Sequence, residues 1–553
     1  MNWFLGIFLA AFLAGVSASA AAAAQTSERK LNPAEKWVVA QVTAGEIANL
    51  SEKFPDQGKR RLSAHFLEDL LTGALPGVKL HRNGVRITDA IIDEPIYLKN
   101  AQISCEVWLD HCLFMGGVNF MRATFTGVVS FDDSTFTAPV DFDAVRVGGD
   151  AFFRRAVFEG LVNFLDADMA GQFVADEAQF KNKEQTAYFG GMKVRGLASF
   201  RTVVFEGPVD FGAADVGSAF VADEARFKNK EQEASFNAMK VEDIAFFRKA
   251  VFEGPVNFGL ADIVGNFVAN EAQFKNKEQG TTFNRMKVGR ASFTKTMFEG
   301  PADFYMVDIA GEFRADEAQF KNKEQVATFN SMKVGGNAFF TGAVFEGPVD
   351  LGFSDFAVLD LSGAVYAEAL YLQGMSYKKI LAALDEHQSH EALLTLAGQS
   401  AYSADVYGNL EAYFLRQGYR GDADRAFIEG KRRERKEKLD PLPWIGSFLL
   451  DLLVGYGRRP WQAGIPCVFF VALGCLLFSP KRMEPQKPGD AHRVYNRFWY
   501  SLGLFLPFVD LQADRVWKPK PDQTFLRNYM RVHVLMGWIL VPLVLAALTG
   551  LIK

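Results

Sequence analysis

The chain has 553 residues, 49% of them apolar, a formal net charge of −5 and four cysteines. That is material for several domains with large cores, and four cysteines exclude a disulfide-built scaffold. The small net charge hides an uneven distribution, roughly −13 over residues 84–362 and about +8 over the flanks, which suggests a membrane-proximal C-terminus.

Residues Trp3–Ala14 form an apolar run followed by Ala-x-Ala sites at Ala18–Ala20 and Ala22–Ala24. This is the layout of a signal peptide spanning 1–24, with an uncleaved anchor as the alternative because no Lys or Arg precedes the run. Residues 25–83 are expected to form a helical cap. Within them Pro33–Leu75 reads as helical, from the stripes Trp37, Val38, Val42, Ile47, Leu50 and Leu62, Phe66, Leu70, Leu71. A cap ahead of a solenoid protects the strand edges of its first coil.

The body of the chain is a repeat of about 47 residues between Phe158 and Val344. Copies open with Phe-Glu-Gly at 158, 205, 252 and 298, and a fifth opening at 345 then diverges. Each also carries a Phe-Lys-Asn-Lys-Glu-Gln string, ending at 185, 232, 279 and 325. Inside it runs a shorter beat: Phe120, Phe131, Phe142, Phe153 and Phe164 are eleven apart, with a second large residue five after each. Small or β-branched residues such as Ala123, Ser134, Ala156 and Ala178 sit two before the large ones. Steps of five and six fit neither a 3.6-residue helix nor an ordinary antiparallel strand. They fit two- or three-residue strands joined by tight turns, four to a coil of about 22 residues. Roughly twelve coils stacked at strand spacing are expected. The three-residue excess of the long unit falls in the Lys-Asn-Lys-Glu-Gln stretch. A β-propeller is the alternative, though turns every five residues leave no room for its longer strands.

Ala123-Thr-Phe125, Ala156-Val-Phe158, Ala178-Gln-Phe180 and Ala272-Gln-Phe274 resemble the pentapeptide-repeat family. The resemblance implies a mainly β solenoid at 84–365, a right-handed four-sided parallel β-helix with the large and small residues both pointing inward. The chain departs from the family in using Phe where Leu is commoner and in its six-residue steps.

Close copies argue against one catalytic constellation, and no catalytic, cofactor-binding or metal-binding residue is assigned. The acidic pairs Asp176-Glu177, Asp223-Glu224 and Asp316-Glu317, with Asn270-Glu271, read as a solvated row. The Lys-Asn-Lys-Glu-Gln copies read as an exposed ridge, either a compensated turn or a docking strip for a protein partner. Cys105, His111 and Cys112 lie in the first coils; a metal site would want a further ligand and a tighter Cys spacing, so they read as stacked inward cysteines, with a disulfide open. His387 and His390 read as surface residues. No motif for a nucleotide or redox cofactor is present. Some relatives in the family mimic DNA through an acidic surface, but export would remove that target, so no nucleic-acid partner is expected.

Residues 366–443 read as a helical C-terminal cap, ending in a basic helix at Lys431–Lys438 suited to anionic headgroups. Trp444–Tyr456 reads as interfacial, and two transmembrane helices are expected at about 463–479 and 532–552 within a membrane domain of 444–553. The loop between them holds roughly ten Lys and Arg, which places it in the cytoplasm and the solenoid in the periplasm of a bacterium, although Lys431–Lys438 and Arg458-Arg459 oppose this. Tyr456–Trp461, then a helix, then Tyr500–Phe505 and a closing helix, resembles the two-helix pore module that follows pentapeptide repeats in some bacterial proteins. Leu506-Pro-Phe-Val-Asp-Leu511 has no glycine where a selectivity filter would need one. The expected function is a non-enzymatic, membrane-anchored scaffold; a degenerate channel-like protein and an enzyme with a site in the diverged coils are the alternatives.

Overall fold

A computed structural model describes residues 30–549 except 384, 493, 510 and 512. The expected signal peptide lies outside the described residues. The chain forms two compact units, one up to Ser292 and one from Phe293.

Among the described residues the first element of the first unit is helix α1 (Pro33–Ala44). Asn32 caps it, its side chain accepting from Glu35 N while the Glu35 carboxylate accepts from Asn32 N, and Gly45 ends it at φ 81°. Helix α2 (Ala64–Thr72) begins at Ser63 and ends at Gly73. Between them the expected helical reading fails in part: Ala48–Asn49 is a strand paired parallel with Ile87–Thr88, and Ile47 is exposed. That strand covers the edge of the first coil. Leu62 N donates to Ile91 O at 3.0 Å, and Glu68 and Glu94 accept from Tyr97 N and Ala64 N. The cap therefore satisfies backbone groups that an open edge would leave unpaired.

Beyond it the backbone is a parallel β-solenoid. A representative turn carries Val107–Asp110, Leu113–Phe114, Val118–Asn119 and Thr124–Phe125, each pairing parallel with its counterpart one turn later. Inward phenylalanines stack face to face along two files. Phe114, Phe136, Phe158 and Phe180 have ring centroids 4.7–5.0 Å apart, and Phe142–Phe164 and Phe189–Phe211 lie at 4.6 and 4.7 Å. Each such contact adds about 0.5–1.5 kcal/mol beyond burial. At a third position the large and small residues trade places on successive turns: Ala151 with Phe153, then Phe173 with Ala175, then Ala198 with Phe200. The exchange shifts the ring by two residues along the strand, and the rings still meet, with centroids 5.5 Å apart for Phe153–Phe173 and 5.4 Å for Phe173–Phe200.

The eleven-residue beat has a backbone cause. Asn100, His111, Arg122, Asp133, Ala144, Arg155 and Asp166 all sit at φ between 51° and 60°, one left-handed corner every eleven residues. The 47-residue period also has one. Pairing steps alternate between 22 residues (Ala198↔Phe220) and 25 (Phe173↔Ala198). In the last copy of this unit Phe267 pairs with Ala291 instead, and the missing residue leaves an irregularity between Ile263 and Asn266.

The second unit carries the same kind of short parallel strands and the stacked file Phe298, Phe320, Phe345, Tyr366. The solenoid runs farther than expected. Val365–Tyr366, Leu370–Tyr371 and Ser376–Leu381 are strands, so Ile380 and Leu381 pair with Leu359 and Asp360 and are not helical. The two units together hold about 14 turns. Helices α3 (Glu386–Gln399), α4 (Ala404–Gln417) and α5 (Arg420–Lys438) follow. They cap the last turn: Tyr413, Asn409 and Arg416 donate to the carbonyls of Ile380, Met375 and Tyr377. Then come α6 (Pro441–Val454), α7 (Gly464–Leu477), α8 (Arg497–Phe505) and α9 (Thr524–Leu548).

Candidate functional site

The Lys-Asn-Lys-Glu-Gln copies form the three-residue insertions, and their asparagines build them. Asn182 Oδ1 accepts from Glu184 N and Gln185 N at 3.1 and 3.0 Å, and Asn229, Asn276 and Asn322 repeat the pattern. The Phe-Glu-Gly openings serve the same loops. A Cβ on Gly207, Gly254 or Gly347 would fall 2.1, 2.2 and 2.0 Å from the carbonyl oxygens of Asn182, Asn229 and Asn322. The glycine one turn on is therefore the seat of the loop. The neighbouring glutamates pair with its second lysine, Lys183 with Glu206 at 3.6 Å, Lys230 with Glu253 at 3.8 Å and Lys323 with Glu346 at 3.5 Å. Two motifs that look independent in sequence are one structural device. What remains exposed is a mixed-charge surface, mainly the lysine ends and the last two residues of each loop.

The acidic pairs are not a uniform solvated row. Their first members are half-buried and tie turns together: Asp176 accepts from Ser199 Oγ at 2.5 Å and from Arg201 N at 3.0 Å. Asp223 accepts from Arg248 N and its guanidinium, and Asn270 from Ser292 Oγ. Only Glu177, Glu224, Glu271 and Glu317 are exposed, each on a left-handed corner at φ 55–61°.

Cys105 and Cys112 are both free, and only Cys112 is buried, so the expected inward stack of two does not form. Cys112 occupies the small-residue slot of Ser134, Ala156 and Ala178, a placement legible from its spacing of 22. Burial pushes its thiol far above the usual range. His111 is an exposed corner residue. His387 is exposed as expected, but His390 is not: it is buried, with Nδ1 2.9 Å from Asp422 of α5. The partner comes from another helix, which helical register within α3 could not reveal. Among the described residues no group of His, Cys, Asp and Glu is placed to hold a metal.

The remaining candidate is the apolar C-terminal region. Two segments are long and apolar enough to cross a membrane, Pro460–Leu477 and Thr524–Ala546, each with a mean hydropathy of 1.7. The second starts earlier than expected, so it includes Arg527 and Arg531. Helix α8 packs between α7 and α9. Ser501 Oγ donates to Val471 O at 2.8 Å, and His533 Nε2 lies 2.9 Å from Ser501 O, a contact only a ring N–H can make. His533 Nδ1 meets the Tyr529 hydroxyl at 3.2 Å. Two glycines permit this approach, since a Cβ would lie 2.2 Å from Ser501 Oγ at Gly474 and 1.9 Å from Phe505 O at Gly537. A largely apolar groove of about 770 Å³ opens among the three helices.

Helix α6 explains the charge inside its apolar run. Asp451 is buried against α5, accepting from Arg432 Nε at 2.9 Å and from Arg435 at 3.0 Å, while Leu442, Trp444, Ile445, Phe448, Leu449 and Leu452 are exposed. The basic helix is thus less free for headgroups than expected: Arg433 bonds the carbonyls of Ala397, Gly398 and Ser400.

The repeated side chains define a structural solenoid in which coil-to-coil bonding consumes most conspicuous polar groups. The family model of the pentapeptide repeats matches residues 120–168 with nine copies. The match ends before the first three-residue insertion, at 181–185, interrupts the alternating steps of five and six. No curated protein and no solved structure matches the chain.

Proposed function

We propose that this protein is a membrane-anchored, non-enzymatic scaffold that presents its solenoid as a protein-docking surface on the periplasmic side of a bacterial inner membrane. In this reading the four short strands of each turn close into the right-handed, four-sided form that the family resemblance implies. The observation that carries it is the division of labour within the chain. Solenoid polar groups are spent on tying turns together, whereas α7 and α9 expose apolar side chains such as Val468, Phe469, Leu535 and Trp538. Such a face is stable in lipid, not in water. The docking surface is the mixed-charge rim of the insertion loops. Cell fractionation with an alkaline wash tests the anchoring: the chain stays in the membrane pellet, and its release would overturn the reading. Crosslinking from position 183 then tests docking, with a discrete protein adduct expected and its absence counting against a partner there.

A second reading rests on α8, which is held between α7 and α9 as a channel-like module with the solenoid as its regulatory domain. It predicts cation currents from reconstituted protein, and silent bilayers would remove it.

A further inference from the structure

The groove among α7, α8 and α9 has almost no polar lining, and its volume of about 770 Å³ lies within the range of ligand sites. It runs from Gly464 and Cys467 to Leu476 along α7, about 18 Å at 1.5 Å per residue. At the other wall it meets Phe498 and Leu506 of α8 and Val544 of α9. One end is electrostatically distinct. Arg497 directly precedes Phe498 in the first turn of α8, and Lys481 and Arg482 follow α7. Tyr495 donates to Phe478 O at 2.7 Å, which ties this end of α7 to the start of α8. Arg497, Lys481 and Arg482 are exposed and have no ion-pair partner among the described residues.

We propose that the groove binds an anionic phospholipid, with an acyl chain along Cys467, Val471, Ala472 and Leu476 and the phosphate against Arg497, Lys481 and Arg482. The proposal rests on the membrane-anchored reading above. An apolar wall in contact with lipid tails gains little from excluding water, so packing holds the chain and the cations decide which headgroup is retained. The unpaired charge at one end is what favours a phospholipid over a second copy of the protein, whose apolar helices would leave those cations unanswered.

The test is native mass spectrometry of the full chain extracted in mild detergent. It is titrated with phosphatidylglycerol and phosphatidylcholine carrying identical acyl chains. The wild type should retain one phosphatidylglycerol, preferred several-fold over phosphatidylcholine. Arg497→Glu should abolish the preference, and Ala472→Phe, which fills the groove, should abolish retention of both lipids. Equal retention of the two lipids by the wild type, unchanged retention by Ala472→Phe, or a lipid-free dimer would each overturn the proposal. Should Ala472→Phe fail to fold, the surface variant Arg497→Glu still decides it. Release of the wild type from membranes by the alkaline wash would remove the anchoring and this site together. Retention in membranes without headgroup preference would remove this site alone.

Discussion

Gly254 and Asn229 are 25 residues apart in sequence, yet the loop built by one rests on the backbone of the other. Asn229→Ala removes two loop hydrogen bonds and should cost about 1 kcal/mol. Gly254→Val must displace a backbone carbonyl and should cost roughly 2–4 kcal/mol. Both should lower the melting temperature of the solubilised chain, with hydrogen exchange rising first around 228–236. A second residue-scale expectation concerns Cys112. Burial raises its thiol, so the folded state favours the protonated form. That contribution is complete below the unfolded thiol value of about 8.5 and declines as pH rises above it. A maleimide at pH 8 should modify Cys112 only after denaturation, and rapid labelling of the native chain would contradict the burial.

At the scale of elements, the contact between α5 and α6 depends on one carboxylate. Burial raises Asp451, but hydrogen bonds from Arg432 and Arg435 outweigh this and hold it below the ordinary carboxylate range. Its stabilisation is therefore present above about pH 4 and is lost as pH falls through the lowered folded value. Asp451→Asn should weaken the contact by roughly 1–3 kcal/mol, the part-exposed Arg432 keeping the figure low. Proteolysis between α5 and α6 should then become faster at neutral pH. The solenoid predicts differently. Deleting residues 206–252 joins Phe205 to Glu253 and restores Phe-Glu-Gly above the Asn182 loop, so the chain should still fold. Deleting 206–241 leaves the following strand on the wrong side of the turn and should yield protease-sensitive material.

The elements also show what sequence could reveal. The Phe beat was legible because one large side chain per side is forced inward, and the insertions because they change the count by three. The end of the solenoid was not, because Tyr377, Ile380 and Leu381 mimic helical spacing where the Phe file has given out. The pairing of His390 with Asp422 and the coupling of loop to glycine both depend on neighbours created by folding, and sequence spacing carries no trace of the first.

At the scale of the whole molecule the open quantity is orientation, and the structure bears on the charges that opposed the periplasmic reading. Arg432, Arg433 and Arg435 lie more than twenty residues ahead of the segment starting at Pro460, beyond the reach over which flanking cations act strongly. They also belong to a folded helical cap, and long folded domains translocate largely regardless of charge. Arg458 is closer, but it is held by Glu411 and Asp424. Arg459 is then the main opposing charge, against Lys481, Arg482, Lys487, Arg497, Lys518 and Lys520 in the loop between the spans. The proposed periplasmic reading puts this loop in the cytoplasm. In a background lacking the four native cysteines, Lys183→Cys and Lys487→Cys place reporters at two exposed positions. A maleimide that cannot cross the inner membrane should label position 183 in intact cells and position 487 only after permeabilisation. The reverse pattern would put the solenoid in the cytoplasm, and with it the proposed docking partner and the leaflet proposed to supply the groove with lipid.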